Sequence, residues 1–370
     1  MTAPPAVRVS DLDTPAILID LDIMERNLRK LADYSRQHGL RVRPHTKTHK
    51  IPALARQQID LGAVGLTVAK VGEAEVMLSA QPADLLIAYP TVGPRKLDRL
   101  MQVARQTAVT MSLDSVVVAR QLSGAASAHE VEIGVLAEVD VGLGRVGVAP
   151  GQALVELVLG IAGLPNLRFD GIAFYPGQVK SLDEEGQQQL NNVARLLEQT
   201  VEDLRRAGFS PRIVSGGSTP TLFHSYLLPG MNEVRPGTYI FNDRNTVLSG
   251  ACALAECAAS IMVTVVSTAK DGQMIVDGGS KTFSSDRPTA GDEVSFGHMV
   301  EAPHAVFTRM NEEHGFVDIR KAGRAFEVGD RVRIIPNHIC VAMNLHECVY
   351  GIRGDVVEQT WRVEGRGKLQ

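Results

Sequence analysis

The sequence predicts an α/β chain: a (β/α)8 TIM-type barrel over residues 20–245, joined to a β domain built from residues 246–370 and completed by residues 1–19. Three observations predict it. Short apolar runs alternate with amphipathic stretches as far as about residue 241, the pattern of a parallel sheet covered on both faces. Beyond about Asn242 strand-like segments dominate, with Gly- and Pro-rich turns between them. Polar and reactive residues gather at the carboxyl ends of the predicted strands, where such barrels carry their chemistry.

In chain order, Ala16–Asp20 predicts a strand and Leu21–His38 a helix, with Met24, Leu28 and Leu31 at helical spacing. Eight strand candidates follow: Arg41–Thr46, Gly65–Ala69, Asp84–Tyr89, Ala108–Asp114, Ile133–Asp140, Phe169–Tyr175, Arg212–Gly216 and Glu233–Phe241. Helical stretches such as Glu184–Ala207 separate the first seven, and Thr219–Pro229 precedes the last. Eight parallel strands with crossovers are what a closed barrel requires. In the β domain, Ala258–Ser267, Met274–Asp277, Gly315–Ile319 and Arg331–Ile335 read as strands, and the first strand near Ala16 is expected to join them. No solenoid repeat or low-complexity tract interrupts the chain.

The 370 residues suffice for a large barrel and a smaller domain, with 44% hydrophobic and 22% charged residues. A net charge of −4 gives no reason to expect nucleic acid or a membrane surface as partner. No apolar run approaches the roughly 20 residues of a spanning helix. Met1–Arg8 contains Pro4 and Pro5 and no signal-peptide core. Cys252, Cys257, Cys340 and Cys348 form no dense disulfide framework, so a reducing cytoplasm is the expected location.

The rim residues then divide by chemistry. Arg43-Pro44-His45-Thr46-Lys47-Thr48-His49-Lys50 ends the first barrel strand. A lysine there is partly desolvated, which makes Lys47 a usable amine nucleophile, although a solvated loop lysine fits the segment equally well. Lys50 is the competing candidate and is expected to face solvent. Ser215-Gly216-Gly217-Ser218-Thr219, with Gly237-Thr238 opposite, suits a phosphate, because glycines let backbone N–H groups approach an anion. Arg145 would keep an adjacent ring nitrogen unprotonated, or else pair with Glu138 or Asp140. In Pro336-Asn337-His338-Ile339-Cys340, His338 and Cys340 would share one face of an extended strand and could grip a divalent ion, or could be a buried pair of side chains.

Taken in order, these motifs resemble the D-threonine aldolase and D-serine dehydratase group. The opening Asp13-Thr14-Pro15, Arg43–Lys50, Lys70-Val71-Gly72-Glu73-Ala74-Glu75, Glu-Val-Asp-x-Gly-x-x-Arg-x-Gly at 138–147, Tyr175-x-Gly177, Ser215–Thr219, Glu313-His314-Gly315 and Pro-Asn-His-x-Cys at 336–340 carry the resemblance. It implies the fold-type III pyridoxal-phosphate (PLP) architecture, an alanine-racemase-like barrel with a C-terminal β domain, working as a homodimer. Lys47 would hold PLP as a Schiff base, Arg145 would face the pyridine nitrogen, and Tyr175 would lie near the cofactor. Gly216, Gly217, Ser218, Gly237 and Thr238 would hold the phosphate, with Ser215, Thr219 and Tyr239 also in the cofactor-binding set. His45 joins Lys47 and Tyr175 in the implied catalytic set. His338 and Cys340 would bind a divalent metal (Zn, Mn, Mg or Co).

The activity so implied is metal-assisted cleavage of a β-hydroxy D-amino acid to glycine and an aldehyde. The alternative is β-elimination of water and ammonia from D-serine or D-threo-3-hydroxyaspartate. Aldolases of this group commonly carry His-x-Asp at the metal position and Tyr-His-Gly or Tyr-Gln-Gly where this chain has Tyr175-Pro176-Gly177. The His-x-Cys here is the dehydratase form, whereas Asn344-Leu345-His346 is aldolase-like. Two rivals come from other classes. One is a non-catalytic PLP-binding protein, against which residues 246–370 argue; the other is a zinc hydrolase barrel using His45 and His49.

Overall fold

The structure is a computed structural model that describes residues 7–288 and 294–370. The chain divides into two compact units: Met1–Arg29, Thr48–Lys50 and Thr238–Arg366 form one, and Lys30–Lys47, Ile51–Gly237 and Gly367–Gln370 the other. It enters through strand β1 (Ala16–Asp20) and helix α1 (Leu21–His38), as the apolar spacing predicts.

The barrel unit contains β2 (Arg41–Val42), β3 (Leu66–Val68), β4 (Asp84–Ile87), β5 (Ala108–Leu113), β6 (Ile133–Val139), β7 (Leu167–Phe174), β8 (Ile213–Gly216) and β9 (Glu233–Val234). They pair in the order β2-β9-β8-β7-β6-β5-β4-β3. A parallel bridge between His45 and Thr67 joins the two ends of that order, supported by Val64 N–H to Val42 O and Thr67 N–H to Pro44 O, both 2.9 Å. The eight predicted strands are therefore all present, and the ring closes on the first of them.

Helices α2 (Pro52–Asp60), α3 (Val71–Met77), α4 (Pro94–Ala104), α5 (Val116–His129), α6 (Gln152–Ala162) and α7 (Glu184–Arg206) provide the crossovers. Strand β6 is buried at every position, as a sheet covered on both faces requires. In α7, Leu190, Val193, Leu197, Val201 and Leu204 form the buried stripe, and Asp183 caps the first turn by accepting from the Gly186 N–H at 2.9 Å. The first and last barrel strands are shorter than predicted because Pro44 and Pro236 lack the N–H that would continue each ladder.

The β unit contains β10 (Ala259–Lys270), β11 (Gln273–Val276), β12 (Gly297–Met299), β13 (Val306–Met310), β14 (Gly315–Asp318), β15 (Arg331–Pro336), β16 (Cys348–Arg353) and β17 (Val356–Arg362). Their order is β13-β14-β11-β10-β1-β16-β17, with β15 pairing both β10 and β12. Strand β1 lies between an antiparallel partner (Ile17 opposite Ile261) and a parallel one (Ile17 opposite Val349), so the first strand does belong to this sheet. Short helices α8 (Arg244–Leu248), α9 (Ser280–Phe283) and α10 (Ile339–Leu345) complete the unit. Here one expectation is corrected. The His338–Cys340 segment is not extended: His338 is the N-cap of α10, because Asp243 Oδ2 accepts the Ile339 N–H at 3.1 Å and the helix starts at once.

Strand β7 meets β6 with a register shift between Val135 and Leu136, which passes over Asp170 and leaves Gly171 opposite Leu136. Gly171 adopts φ +149°, and a Cβ there would lie 1.9 Å from Ile213 O in β8. The glycine thus permits the close approach of two barrel strands. Gly171→Ala should lower unfolding stability by about 2–4 kcal/mol, measured by chemical denaturation; an unchanged midpoint would contradict this account of the strand contact.

Candidate active site

The predicted strand ends contribute as follows. The segment beyond β2 is pinned from both sides, by His45 N–H to Pro236 O (3.0 Å) and Thr46 N–H to Thr67 O (2.9 Å). Lys47 sits in the turn that follows and is exposed, between buried Thr46 and Thr48. Its amide N–H donates to His45 Nδ1 at 3.4 Å. The expectation for Lys50 is overturned. It is buried, its backbone is left-handed at φ 57°, and Nζ donates to Gly365 O at 3.4 Å. Of the two lysines, Lys47 is the one with an accessible amine.

At the end of β8 the glycines have separate uses. A Cβ on Gly216 would lie 2.3 Å from Phe174 Cζ, so the backbone rests directly on a buried ring. Gly217 has φ +88°, a conformation L side chains rarely adopt. Ser218 and Thr221 hydroxyls bond each other at 3.1 Å, and Thr219 is half-buried. The chain after β9 continues through buried Gly237 into the 3-10 turn Thr238–Ile240, in which Tyr239 is buried. The Ser215 hydroxyl is engaged elsewhere: it donates to Glu233 Oε1 at 2.7 Å, wholly buried.

Glu233 Oε2 also accepts from Arg43 Nη2 at 3.1 Å, and Arg43 Nε lies 3.1 Å from Oε1 without a hydrogen bond. Burial drives the Glu233 pKa up, but the Arg43 charge and hydrogen bond, the Ser215 hydrogen bond and the Arg41 charge hold it below the ordinary carboxyl value. Asp84 bonds the other side of Arg43, and burial raises its pKa instead. Glu233 is thus the more firmly ionised partner.

Arg145 is exposed and its guanidinium lies 4.8 Å from the Tyr175 ring centroid. Among the described residues it makes no ion pair with Glu138 or Asp140. Glu138 accepts from Ser112, and Asp140 accepts from the Gly142 (2.9 Å) and Gly144 (3.1 Å) amides. A Cβ on Gly177 would lie 2.3 Å from Tyr175 Cε1, so the Tyr-Pro-Gly motif leaves room for the ring. One residue escaped the sequence reading. Arg235, just beyond β9, is buried; its Nη2 donates to Phe174 O at 3.1 Å, while Nη1 is buried without a hydrogen-bond partner. Burial lowers its pKa, opposed by Glu138 and Glu233. The available signal was a charge set within the eighth predicted strand, just before Pro236.

In the β unit, His338 Nδ1 lies 3.0 Å from Asp243 Oδ2. Cys340 Sγ lies 3.2 Å from Thr48 Oγ1 and 3.7 Å from Thr238 Oγ1. His338 and Cys340 side chains also bond each other; the Cys340 charge, then Asp243, push the His338 pKa up to about 11 against the opposing effect of burial. His346, in the aldolase-like segment, turns instead to Thr282 O at 3.2 Å. Among the described residues no group of three or more His, Cys, Asp or Glu side chains converges, so any ion held here would keep positions open to solvent or substrate.

Residues 19–245 match the family model described as "Alanine racemase, N-terminal domain", and residues 258–352 match one described as "Putative serine dehydratase domain". The chain belongs to the alanine racemase N-terminal domain family. A 3-hydroxy-D-aspartate aldolase of Paracoccus denitrificans is 33% identical, covering 98% of this chain and 95% of that protein. A D-threo-3-hydroxyaspartate dehydratase of Delftia sp. is 34% identical, covering 95% of this chain and 97% of that one. The solved D-threonine aldolase of Filomicrobium marinum superposes with a TM-score of 0.93 at 31% identity, covering 100% of both chains. The family implies PLP, and the barrel fits it: a glycine-floored turn at Gly216–Gly217, an accessible lysine, and a buried guanidinium nitrogen lacking a partner. Among the described residues no helix is long and apolar enough to cross a membrane.

The His338–Cys340 pairing can be checked in the metal-free protein. Cys340→Ala removes the largest influence raising the His338 pKa, so the imidazole should titrate much closer to its ordinary value. Nuclear magnetic resonance titration reads this directly; a His338 that titrates as in the parent would show that Cys340 does not govern it.

Proposed function

We propose that this chain is a PLP- and divalent-metal-dependent lyase that cleaves β-hydroxy D-amino acids to glycine and an aldehyde. The observation that carries the cleavage reading is the match to a D-threonine aldolase along the whole length of both chains, and the His338–Cys340 pair, with Asp243 behind the imidazole, supports the dependence on a metal. Lys47 would bind the cofactor. The amides of Gly217, Gly237 and Thr238, with the Ser218 and Thr219 hydroxyls and the Ser215–Gly216 backbone, would hold its phosphate; Tyr239 and Tyr175 would line its sides. Arg145 and Arg235 are the cations available to its ring nitrogen, and either one would keep that nitrogen unprotonated. When bound, the cofactor supplies an electron sink at Cα and the ion a Lewis acid toward the β-hydroxyl.

The chain's own part is orientation and proton placement. Asp243 fixes Nδ1 of His338 and so turns Nε2 outward, the arrangement that orients metal-binding histidines. A histidine nitrogen and a thiolate suit zinc, and manganese, cobalt or magnesium are the other candidates. His45, beside Lys47, would join it and Tyr175 in handling protons. A second reading, β-elimination of water and ammonia, is favoured by Cys340 in place of the aldolases' aspartate and by Pro176, which carries no proton acceptor on its side chain. We propose a homodimer acting on a small D-amino acid in the cytoplasm, without nucleic acid or membrane partner.

Product analysis with D-threonine, D-serine and D-threo-3-hydroxyaspartate, before and after chelation and metal add-back, tests the reading. Glycine with an aldehyde is expected; ammonia with a 2-oxo acid would establish the elimination instead. Lys47→Ala should abolish the visible absorbance of the lysine-linked cofactor, and an unaltered spectrum would move the assignment to another lysine. Asp243→Asn should weaken zinc binding by about 10–100-fold, read by equilibrium dialysis; unaltered affinity would remove Asp243 from the metal site.

A further inference from the structure

Three barrel strands lead into the segments assigned to the cofactor, and all three meet at one carboxylate. Strand β2 runs on through Arg43 to Lys47, β8 ends in Ser215-Gly216 before Gly217, and β9 leads to Arg235-Pro236-Gly237. Glu233, fully buried in β9, accepts a hydrogen bond from Ser215 Oγ on Oε1 (2.7 Å) and one from Arg43 Nη2 on Oε2 (3.1 Å), while Arg43 Nε lies 3.1 Å from Oε1 as an ion-pair contact without a hydrogen bond. Arg41 Nη2 approaches the same Oε2 at 3.5 Å. The backbone ties run parallel to these, with Arg43 N–H to Val234 O at 2.9 Å and Arg235 N–H to Gly216 O at 3.2 Å.

A buried ion pair is weak evidence of a stabilising role, since well-packed apolar residues do as well or better in such places. What apolar residues could not supply is a fixed charge in one strand with directional bonds to the ends of the two strands beside it. The groups that face Glu233 are Arg41, Arg43 and Ser215, with Asp84 beyond Arg43 and Arg235, itself near Glu138, on the same strand end. Arg43 also pairs with Asp84 and Arg235 also feels Glu138, but Glu233 is the carboxylate that acts on both arginines.

We propose that Glu233 is the positioning residue of the cofactor site: it sets the register of the strand ends that carry Lys47, Gly216–Gly217 and Arg235, and its charge balances the two arginines beneath them. This rests on the PLP reading above. Replacing the carboxylate by an amide leaves two buried guanidiniums without their shared counter-charge. The interior becomes more positive, which disfavours the protonated form of the lysine-linked nitrogen. The visible band should therefore titrate at a lower pH.

The test compares parent, Glu233→Gln and Ser215→Ala by PLP dissociation constant, pH titration of the visible band, and melting of the cofactor-free protein. In Glu233→Gln the dissociation constant should rise about tenfold or more, and the titration midpoint should fall by about one pH unit. Ser215→Ala, which removes only the bond from β8, should raise the dissociation constant several-fold and leave the midpoint in place. A Glu233→Gln protein that melts earlier yet keeps the parent's affinity and midpoint would overturn the proposal, because a merely structural residue behaves that way. If Glu233→Gln does not fold, parental affinity in Ser215→Ala overturns it instead. A parent protein that forms no visible band with PLP defeats the functional reading, which is a different failure from a parent that binds and a variant that behaves identically.

Discussion

The Arg43–Glu233 pair fixes what else the barrel interior can be. Barrels of this kind are ordinarily filled with branched apolar side chains, and here a guanidinium and a carboxylate lie among them with essentially no solvent contact. Each is tolerable only because of the other: removing one partner of such a pair costs about 3–5 kcal/mol, since the survivor is left charged and dry. That requirement propagates. Ser215 is drawn inward to complete Glu233, so its hydroxyl is withdrawn from the rim, and on the proposed reading the backbone of the following glycines would face the phosphate. Gly216 must in turn lack a side chain, because it rests on the Phe174 ring, whose own carbonyl holds Arg235. One electrostatic constraint therefore reaches several neighbouring positions.

Asp243 plays the corresponding part in the β unit. One oxygen accepts the Thr246 N–H and caps α8; the other takes both His338 Nδ1 and the Ile339 N–H, which starts α10. Helix capping and orientation of the candidate ligand are thus one interaction rather than two. Thr246 reinforces it by bonding the Asp243 amide and carbonyl, each at 2.7 Å. A carboxylate in this position both satisfies orphan helix amides and raises the basicity of the imidazole it touches. That coupling fixes the imidazole of His338 although the His-x-Cys segment does not lie on a strand.

The barrel was legible because its strands are continuous apolar runs and its helices carry a clear buried stripe, as β6 and α7 show. Strands β13 and β17 were missed for the opposite reason. Most of their positions are exposed or half-exposed, so their sequences read as loops. The helical start at His338 was illegible because its cap comes from Asp243, 95 residues earlier. Lys50 likewise owes its burial to a carbonyl 315 residues away. Arg235 could have been read as unusual, a charge at the end of an apolar strand. That it should be buried with one nitrogen lacking a hydrogen-bond partner depends on the Phe174 carbonyl, which no local pattern specifies.

The two chemical readings separate at a proton rather than at a fold. Cleavage between Cα and Cβ needs a group that takes the hydroxyl proton; elimination needs a group that gives one to the departing hydroxide. Position 176 offers neither, since proline has no titratable side chain and its carbonyl already accepts the Val179 N–H at 3.2 Å. On the proposed reading His45, whose Nδ1 lies 3.4 Å from the Lys47 amide nitrogen, would be the group concerned. A neutral imidazole could only take that proton and an imidazolium could only give one, so the protonation state of His45, rather than the fold, would decide which of the two reactions it serves.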